Sequence, residues 1–211
     1  MDKNLTYLAI GGFIFMFLIG MGAGFALNSN NQAQSQPYEL TLVITDNNMF
    51  NSSVGPQPAY FVLINGQLQS SAVINVPAHR LIDLTIVNYD DGADQVGQTY
   101  TAVNGTQNNQ MLVVSNDLMN ASEQGSNINL NLNDTQTVSS WPADDISHTF
   151  TINELNFNIP VAPSSTVHAF ATFDTTGSYT WQCFVICGSG TSGWGGAMST
   201  AGWMTGSFVI S

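Results

Sequence analysis

Residues 80–89 read RLIDLTIVNY and have the pattern of a β-strand. Polar and apolar side chains alternate through Leu81, Leu84 and Ile86, and β-branched residues are frequent, which is typical of a half-buried strand. A two-residue period turns one face of such a strand toward a core and the other toward solvent. The segment therefore predicts a β-sheet protein rather than a helical one.

Further segments along the chain have the same character, and Gly, Pro, Asn and Asp separate them. Many short strands with turn residues between them predict an all-β sandwich or barrel. The stretch from Asp90 to Trp141 is dominated by small polar residues, and we expect a solvated insertion with one weak strand. The other predicted strands are Tyr38–Thr45, Ala59–Ile64, Met111–Ser115, His148–Ile152, Thr166–Phe173, Ser178–Phe184 and Gly206–Ile210.

The N-terminal part predicts a membrane anchor. Residues 5–27 carry no charge and are long enough to cross a bilayer as one helix, whereas the apolar core of a secretory signal has about 7–15 residues. Lys3 precedes this segment, so the positive-inside rule places the rest of the chain outside the cytoplasm. We expect a single-pass protein of the cell membrane, in contact with lipid. Its parts are an anchor within residues 1–27, a linker over 28–37 and an extracytoplasmic domain over 38–211.

Charge is scarce in this sequence. Lys and Arg total 2 against 14 Asp and Glu, the net charge is −12, and only 8% of residues are charged. Nucleic acids and anionic lipid headgroups are bound by clustered cations, so both functions are excluded. Few ion pairs are lost when carboxylates protonate, which favours a domain in acidic surroundings. The alternative is a glycosylated surface protein at neutral pH, with acceptor sequons at Asn51, Asn104, Asn120 and Asn133.

Three histidines and two cysteines limit the candidate chemistry. Cys183 and Cys187 come at the end of a predicted strand, and His148 begins an earlier one. A histidine and thiolates that meet at one end of a β-sandwich form the nitrogen and sulfur ligand set that copper prefers. Met198 and Met204 are candidate soft axial ligands.

The two thiols have three possible states. They bind copper together with His148, they form a Cys183–Cys187 disulfide if their Cα atoms lie within about 7 Å, or they stay as buried free thiols. His79, at the start of a strand, and His168, in the middle of one, are expected not to be ligands. No catalytic triad, phosphate loop or carboxylate pair is visible, so no catalytic residue is assigned.

Two segments resemble subunit II of the heme–copper terminal oxidases. Asp145–Phe157 (DISHTFTINELNF) is similar to its first copper-ligand segment, and Phe173–Gly188 (FDTTGSYTWQCFVICG) is similar to its last strand and copper loop. The wider resemblance, from Tyr38 to Ser211, is to the cupredoxin family. It implies a cupredoxin-like Greek-key β-sandwich behind one N-terminal transmembrane helix. It also implies copper as the cofactor and, as the partner, an integral-membrane subunit I that carries haem.

The sequence departs from that family at its dinuclear copper loop, which reads Cys-x-Glu-x-Cys-Gly-x-x-His-x-x-Met. Here Val185 takes the Glu position, Thr191 the His position and Trp194 the Met position. Quinol-oxidising relatives of this family have lost the copper centre. The resemblance therefore implies a non-catalytic subunit of a respiratory quinol oxidase whose copper site is degraded or lost. A membrane-tethered mononuclear copper electron carrier and a glycosylated structural surface protein are the alternatives.

Overall fold

A computed structural model describes residues 36–45, 57–115, 135–188 and 196–211. Over these ranges the chain forms β-strands joined by turns and short 3-10 helices, and they contain no α-helix. The all-β prediction is confirmed. The strands are β1 (Tyr38–Thr45), β2 (Ala59–Ile64), β3 (Gln67–Ser70), β4 (Val73–Val76), β5 (Leu81–Asn88), β6 (Met111–Ser115), β7 (Thr135–Val138), β8 (His148–Ile152), β9 (Phe157–Val161), β10 (Ser165–Thr172), β11 (Gly177–Gln182) and β12 (Thr205–Ile210).

The strands form two mixed sheets. One has the order β3-β2-β1-β5-β10-β6-β7 and the other the order β4-β12-β11-β8-β9. β1 runs parallel to β5 and β4 parallel to β12, while the remaining pairs are antiparallel. The chain changes sheet after β3, β4, β7, β9 and β10. Because the strands alternate between sheets in this way, residues distant in sequence come together in the shared core.

The core lies between the two sheets and is rich in aromatic rings. The ring of Tyr60 on β2 lies 5.2 Å from that of Trp181 on β11 and 5.9 Å from that of Phe150 on β8. All three side chains are fully buried. Edge-on and tilted aromatic contacts of this kind stabilise a core beyond the area that they bury. They also fix the positions of the strands that carry the candidate site.

The alternation of buried and exposed side chains along β5 begins one residue later than the sequence predicted. Ile82, Leu84 and Ile86 are buried, whereas Leu81 is half-buried. Side chains on a strand share a face only at even spacing, so Leu81 cannot share a face with Leu84 and Ile86. The predicted strand was right, and its inward face includes Ile82 in place of Leu81.

Strands β3, β4, β7 and β9 were missed. Asn65 and Gly66 have φ of 51° and 75°, so both central residues of the turn between β2 and β3 are left-handed. Such Asn-Gly turns join the two strands of a hairpin, and this signal was present in the sequence. β9 contains Pro160 and is buried along its whole length, so neither alternation nor an unbroken β-rich run marked it.

The stretch between Asp90 and Trp141 contains the predicted strand Met111–Ser115 as β6, and its described part also contributes side chains to the core. Val103, Met111 and Val113 are buried members of the core, and β6 pairs with β10 and β7. The ring of Tyr100 stacks on Phe184 at 4.1 Å, beside the predicted copper loop. The sequence pattern did not indicate these contacts, because most apolar residues of this stretch lie singly between polar neighbours.

The predicted anchor within residues 1–27 lies outside the described residues, as do the sequons at Asn51, Asn120 and Asn133. No helix within the described ranges is long and apolar enough to cross a membrane. Asn104 is half-buried, and its backbone forms a two-way bridge with Asn158.

Candidate metal centre

Two neighbouring strands bring His148 and the cysteines together. His148 is the first residue of β8, and Cys183 follows the last residue of β11. β8 and β11 are antiparallel, so the start of one lies beside the residues that follow the other. Cys183 lies two residues beyond Trp181, which places both side chains on the inward face. His148 is 1% exposed and Cys183 is fully buried.

The cluster is compact. His148 Nδ1 lies 3.1 Å from Cys187 Sγ and 3.8 Å from Cys183 Sγ, and the two sulfurs are 3.5 Å apart. Both cysteines are free thiols in the structure. Within the described ranges, these three residues form a group whose ligand atoms all lie within 4.8 Å of one another, close enough to hold one metal ion.

Of the two candidate methionines, Met198 brings its sulfur to the cluster. The Cys187 N–H donates to Met198 Sδ at 3.4 Å, and the Met198 side chain is buried. Met204 contacts the cluster through its backbone, since its carbonyl accepts from the Cys183 N–H at 2.8 Å. The Val185 carbonyl, at the family's Glu position, lies 3.3 Å from Cys187 Sγ and 3.7 Å from Cys183 Sγ.

Asp90, which sequence reasoning did not assign, orients the histidine. His148 Nε2 donates to Asp90 Oδ2 at 3.0 Å, and the Gly92 N–H donates to Asp90 Oδ1 at 2.9 Å. The Asn88 side chain and the Ser164 N–H hold the Asp90 backbone. A carboxylate on one ring nitrogen fixes the tautomer and leaves the other nitrogen free to bind metal. Asp90 therefore directs His148 Nδ1 toward the two sulfurs.

The charges of the cluster depend on one another. Burial opposes a charge on His148, but hydrogen bonds to Asp90 and Cys183 outweigh it and raise the pKa of His148 to about 9. Burial also opposes ionisation of Cys183, but hydrogen bonds from Cys187 and His148 hold its pKa well below the usual value. The hydrogen bond with Cys183 and burial raise the pKa of Cys187. These interactions favour an imidazolium on His148 beside a thiolate on Cys183, with the proton kept on Cys187.

The other two histidines lie elsewhere. The side chain of His79 is 70% exposed, and its Nδ1 lies 3.3 Å from Asp174 Oδ1. His168 lies on β10, and its Nε2 is 2.5 Å from Asp83 Oδ1 on β5. Neither belongs to the cluster of His148 and the two cysteines.

The residues fit a copper ion. Metal bonds of about 2.0–2.3 Å at tetrahedral or trigonal angles separate ligand atoms by roughly 3.3–4 Å. The three distances within the cluster are 3.1, 3.5 and 3.8 Å, so small side-chain movements would bring all three atoms onto one ion. Two thiols, one imidazole and a nearby thioether are soft donors of the kind that Cu⁺ prefers.

Replacing Asp90 with asparagine should weaken metal binding about 10–100-fold, because the anionic partner that orients His148 is lost. Competition with a chelator of known affinity measures the change. Asp174→Asn is the matched control, since it alters the exposed aspartate–histidine pair at His79. Equal affinities in the two variants would show that Asp90 does not act on the metal centre.

No protein-family model matches the chain, and no curated protein sequence matches it. A heme-copper terminal oxidase dimer is similar at 14% identity over 99% of this chain and 97% of that chain, with a TM-score of 0.33. The periplasmic domain of subunit II of cytochrome oxidase from Bradyrhizobium japonicum is similar at 11% identity over 82% of this chain and 83% of that chain, with a TM-score of 0.34.

A multicopper oxidase from Campylobacter jejuni is similar at 13% identity over 86% of this chain, with a TM-score of 0.38. The match covers 32% of that protein, so this chain spans about a third of its length. We therefore derive the function from the residues of the cluster.

Proposed function

We propose that this chain is a cupredoxin-like copper protein that carries electrons in a respiratory membrane. One copper ion would be bound by His148, Cys183 and Cys187, with Met198 as a weaker axial ligand. The observation that carries the proposal is the cluster itself, in which one imidazole nitrogen and two thiols lie within 3.8 Å of one another. Copper, when bound there, supplies a one-electron couple.

Electron transfer suits this site better than catalysis on a substrate. Each of the four proposed ligands is at most 4% exposed, so the cluster is closed to molecules from solvent. Ile186, next to Cys187, is 52% exposed and brings the buried ligands within one residue of the surface. An electron can cross that distance, and ligands held by packing and hydrogen bonds need little rearrangement when the charge changes.

The sequence resemblance supplies the proposed setting. We infer a subunit II-like component of a heme–copper terminal oxidase, anchored in the cell membrane with its β-domain on the extracytoplasmic side. A haem-bearing integral-membrane subunit I would be its partner and would perform the oxygen chemistry. The missing second histidine supports a centre with one copper rather than two, and the compact cluster supports a retained site. The same residues equally suit a free-standing tethered carrier.

Metal content and spectra of the full chain, purified in mild detergent, test the proposal. We expect one copper per chain, an intense copper–thiolate absorption band and the electron-paramagnetic-resonance signal of a single Cu²⁺. Co-purification with a haem protein would support the oxidase subunit, and its absence would favour the tethered carrier. A chain that binds zinc in preference to copper, or no metal, would overturn the copper function.

Copper binding should release about two protons near pH 7, because metal ligands bind in their deprotonated forms. One proton comes from His148, whose pKa is raised to about 9, and the other from Cys187, whose pKa is raised. Affinity should therefore increase with pH, up to about a hundredfold per unit between pH 6 and 8.

Calorimetry in buffers of different ionisation enthalpy counts the released protons. The Cys187→Ser variant is the control and should release about one proton if it still binds copper. An affinity independent of pH would contradict the assigned protonation states.

A further inference from the structure

Tyr60 carries a buried hydroxyl that the fold leaves unused. Its side chain is fully buried on β2, and its hydroxyl has no hydrogen-bond partner in the structure. Buried polar groups are almost always paired, so an unpaired one requires an explanation. The backbone of Tyr60 is fully engaged, since its N–H donates to the Trp203 carbonyl and its carbonyl accepts from the Ser71 hydroxyl.

The Tyr60 ring packs against His148, one of the three residues of the cluster. Its centroid lies 6.1 Å from that of His148, edge-on, and 5.2 Å from that of Trp181. Cys183 is two residues beyond Trp181 and faces the same side of the chain. Burial raises the pKa of the Tyr60 hydroxyl, so it keeps its proton and can donate a hydrogen bond.

We propose that the Tyr60 hydroxyl is part of the metal centre and donates a hydrogen bond to the Cys183 thiolate once metal is bound. This inference rests on the proposed copper function. It makes Tyr60 a positioning residue that tunes the thiolate, while His148 and the cysteines remain the ligands.

In the structure, Cys183 Sγ already has other hydrogen-bond partners. Cys183 Sγ now accepts from the Thr149 N–H at 3.3 Å and lies within 3.8 Å of both His148 Nδ1 and Cys187 Sγ. When a metal replaces the protons of His148 Nδ1 and Cys187 Sγ, these two groups cease to donate to Cys183. The Thr149 amide is then left as the donor shown by the structure, and the Tyr60 hydroxyl is an unpaired donor on a ring that contacts His148.

A hydrogen bond to a metal-bound thiolate has a defined electronic effect. It withdraws electron density from the sulfur and stabilises the reduced centre, in which the thiolate carries more negative charge. Loss of the bond should therefore lower the reduction potential and move the copper–thiolate band to longer wavelength. A residue that only fills space would change neither property.

The Tyr60→Phe variant tests the inference because it removes the oxygen and keeps the ring. Without metal it should be as stable as the wild type or more stable, since the lost hydroxyl was unpaired. With copper it should bind Cu⁺ about tenfold more weakly, the effect of one charge-assisted hydrogen bond. If the loss is confined to Cu⁺, the potential falls by about 59 mV.

Tyr179→Phe is the matched control. The Tyr179 hydroxyl donates to the carbonyls of Thr175 and Thr176, just before β11 begins, whereas Cys183 follows the other end of that strand. An unchanged potential and spectrum in Tyr60→Phe, with copper still bound, would overturn the role of Tyr60 alone. A wild type that binds no copper would instead overturn the proposed function. Should Tyr60→Phe fail to fold, 3-fluorotyrosine at position 60 is a stronger donor and should raise the potential; no rise would contradict the inference.

Discussion

Replacing Cys183 with serine should remove most of the copper–thiolate absorption and most of the stabilisation that copper gives the protein, because one of the two proposed thiolate ligands is lost. Cys183 is fully buried, and hydrogen bonds from Cys187 and His148 hold its pKa well below the usual value, which favours the thiolate form that binds metal. A hydroxyl in its place is neutral at any working pH and is a poor ligand for copper. Free copper at about 100 times its Kd stabilises a binding protein by about 2.7 kcal/mol, and the variant should lose most of it.

Thermal unfolding with and without copper, together with visible spectra, measures this loss. His148→Asn should give the same result, and His79→Asn is its matched control because His79 is exposed and distant from the cluster in the fold. Cys183→Ser protein with the full thiolate band and the full copper stabilisation of the wild type would remove Cys183 from the ligand set. Equal copper stabilisation in His148→Asn and His79→Asn would remove His148 from the ligand set.

The sequence predicted strands well where one face is buried and the other is exposed to solvent. Tyr38–Thr45 and Met111–Ser115 were predicted with the bounds that the structure has. Two strands without that contrast were missed, since β3 reads QLQS and is mostly exposed, and β9 reads FNIPV and is wholly buried. Alternation is not the whole signal, however. The wholly buried β8 was predicted from its run of β-branched and aromatic residues, and the four-residue β4 was missed although its burial alternates.

The candidate site was predicted in part. Few residues in the chain can bind a soft metal, so the sequence indicated His148, Cys183, Cys187 and Met198 as candidates. The structure brings the first three together and places the Met198 sulfur against the Cys187 N–H. Asp90 could not be identified, since a carboxylate after a strand is common and its partner His148 lies 58 residues further along. Tyr60 was hidden for the same reason, because only the packing of one sheet on the other places β2 beside β8.

The geometry of the cluster also accounts for the unusual ligand set. The family's second histidine position is Thr191, which lies outside the described residues. Met198 is the soft donor that the structure places against Cys187, at a backbone-to-sulfur distance of 3.4 Å. One imidazole, two thiols and one thioether complete four donors without a second histidine. Such a set suits a single copper, and a second ion would lack an imidazole.

Phe150→Ala should be among the most destabilising single changes in the core. Phe150 is fully buried, and its ring lies 5.5 Å from Trp181, 6.1 Å from Phe208 and 6.3 Å from Phe157. Truncating such a ring removes its transfer free energy and leaves a cavity that the two sheets cannot close, which costs about 3–5 kcal/mol. For a domain of this size, the midpoint of thermal unfolding should fall by about 6–20 °C.

Thermal unfolding of the metal-free full chain, followed by tryptophan fluorescence, measures this effect. Phe170→Ala is the control, because Phe170 is only half-buried on β10, and it should lower the free energy of unfolding by about 1 kcal/mol. Phe150 lies two residues from His148 on the same face of β8, so its loss should also loosen the ligand. Copper should then stabilise Phe150→Ala less than it stabilises Phe170→Ala. Equal destabilisation of the two variants would mean that the aromatic cluster is not what holds the sheets and the metal centre together.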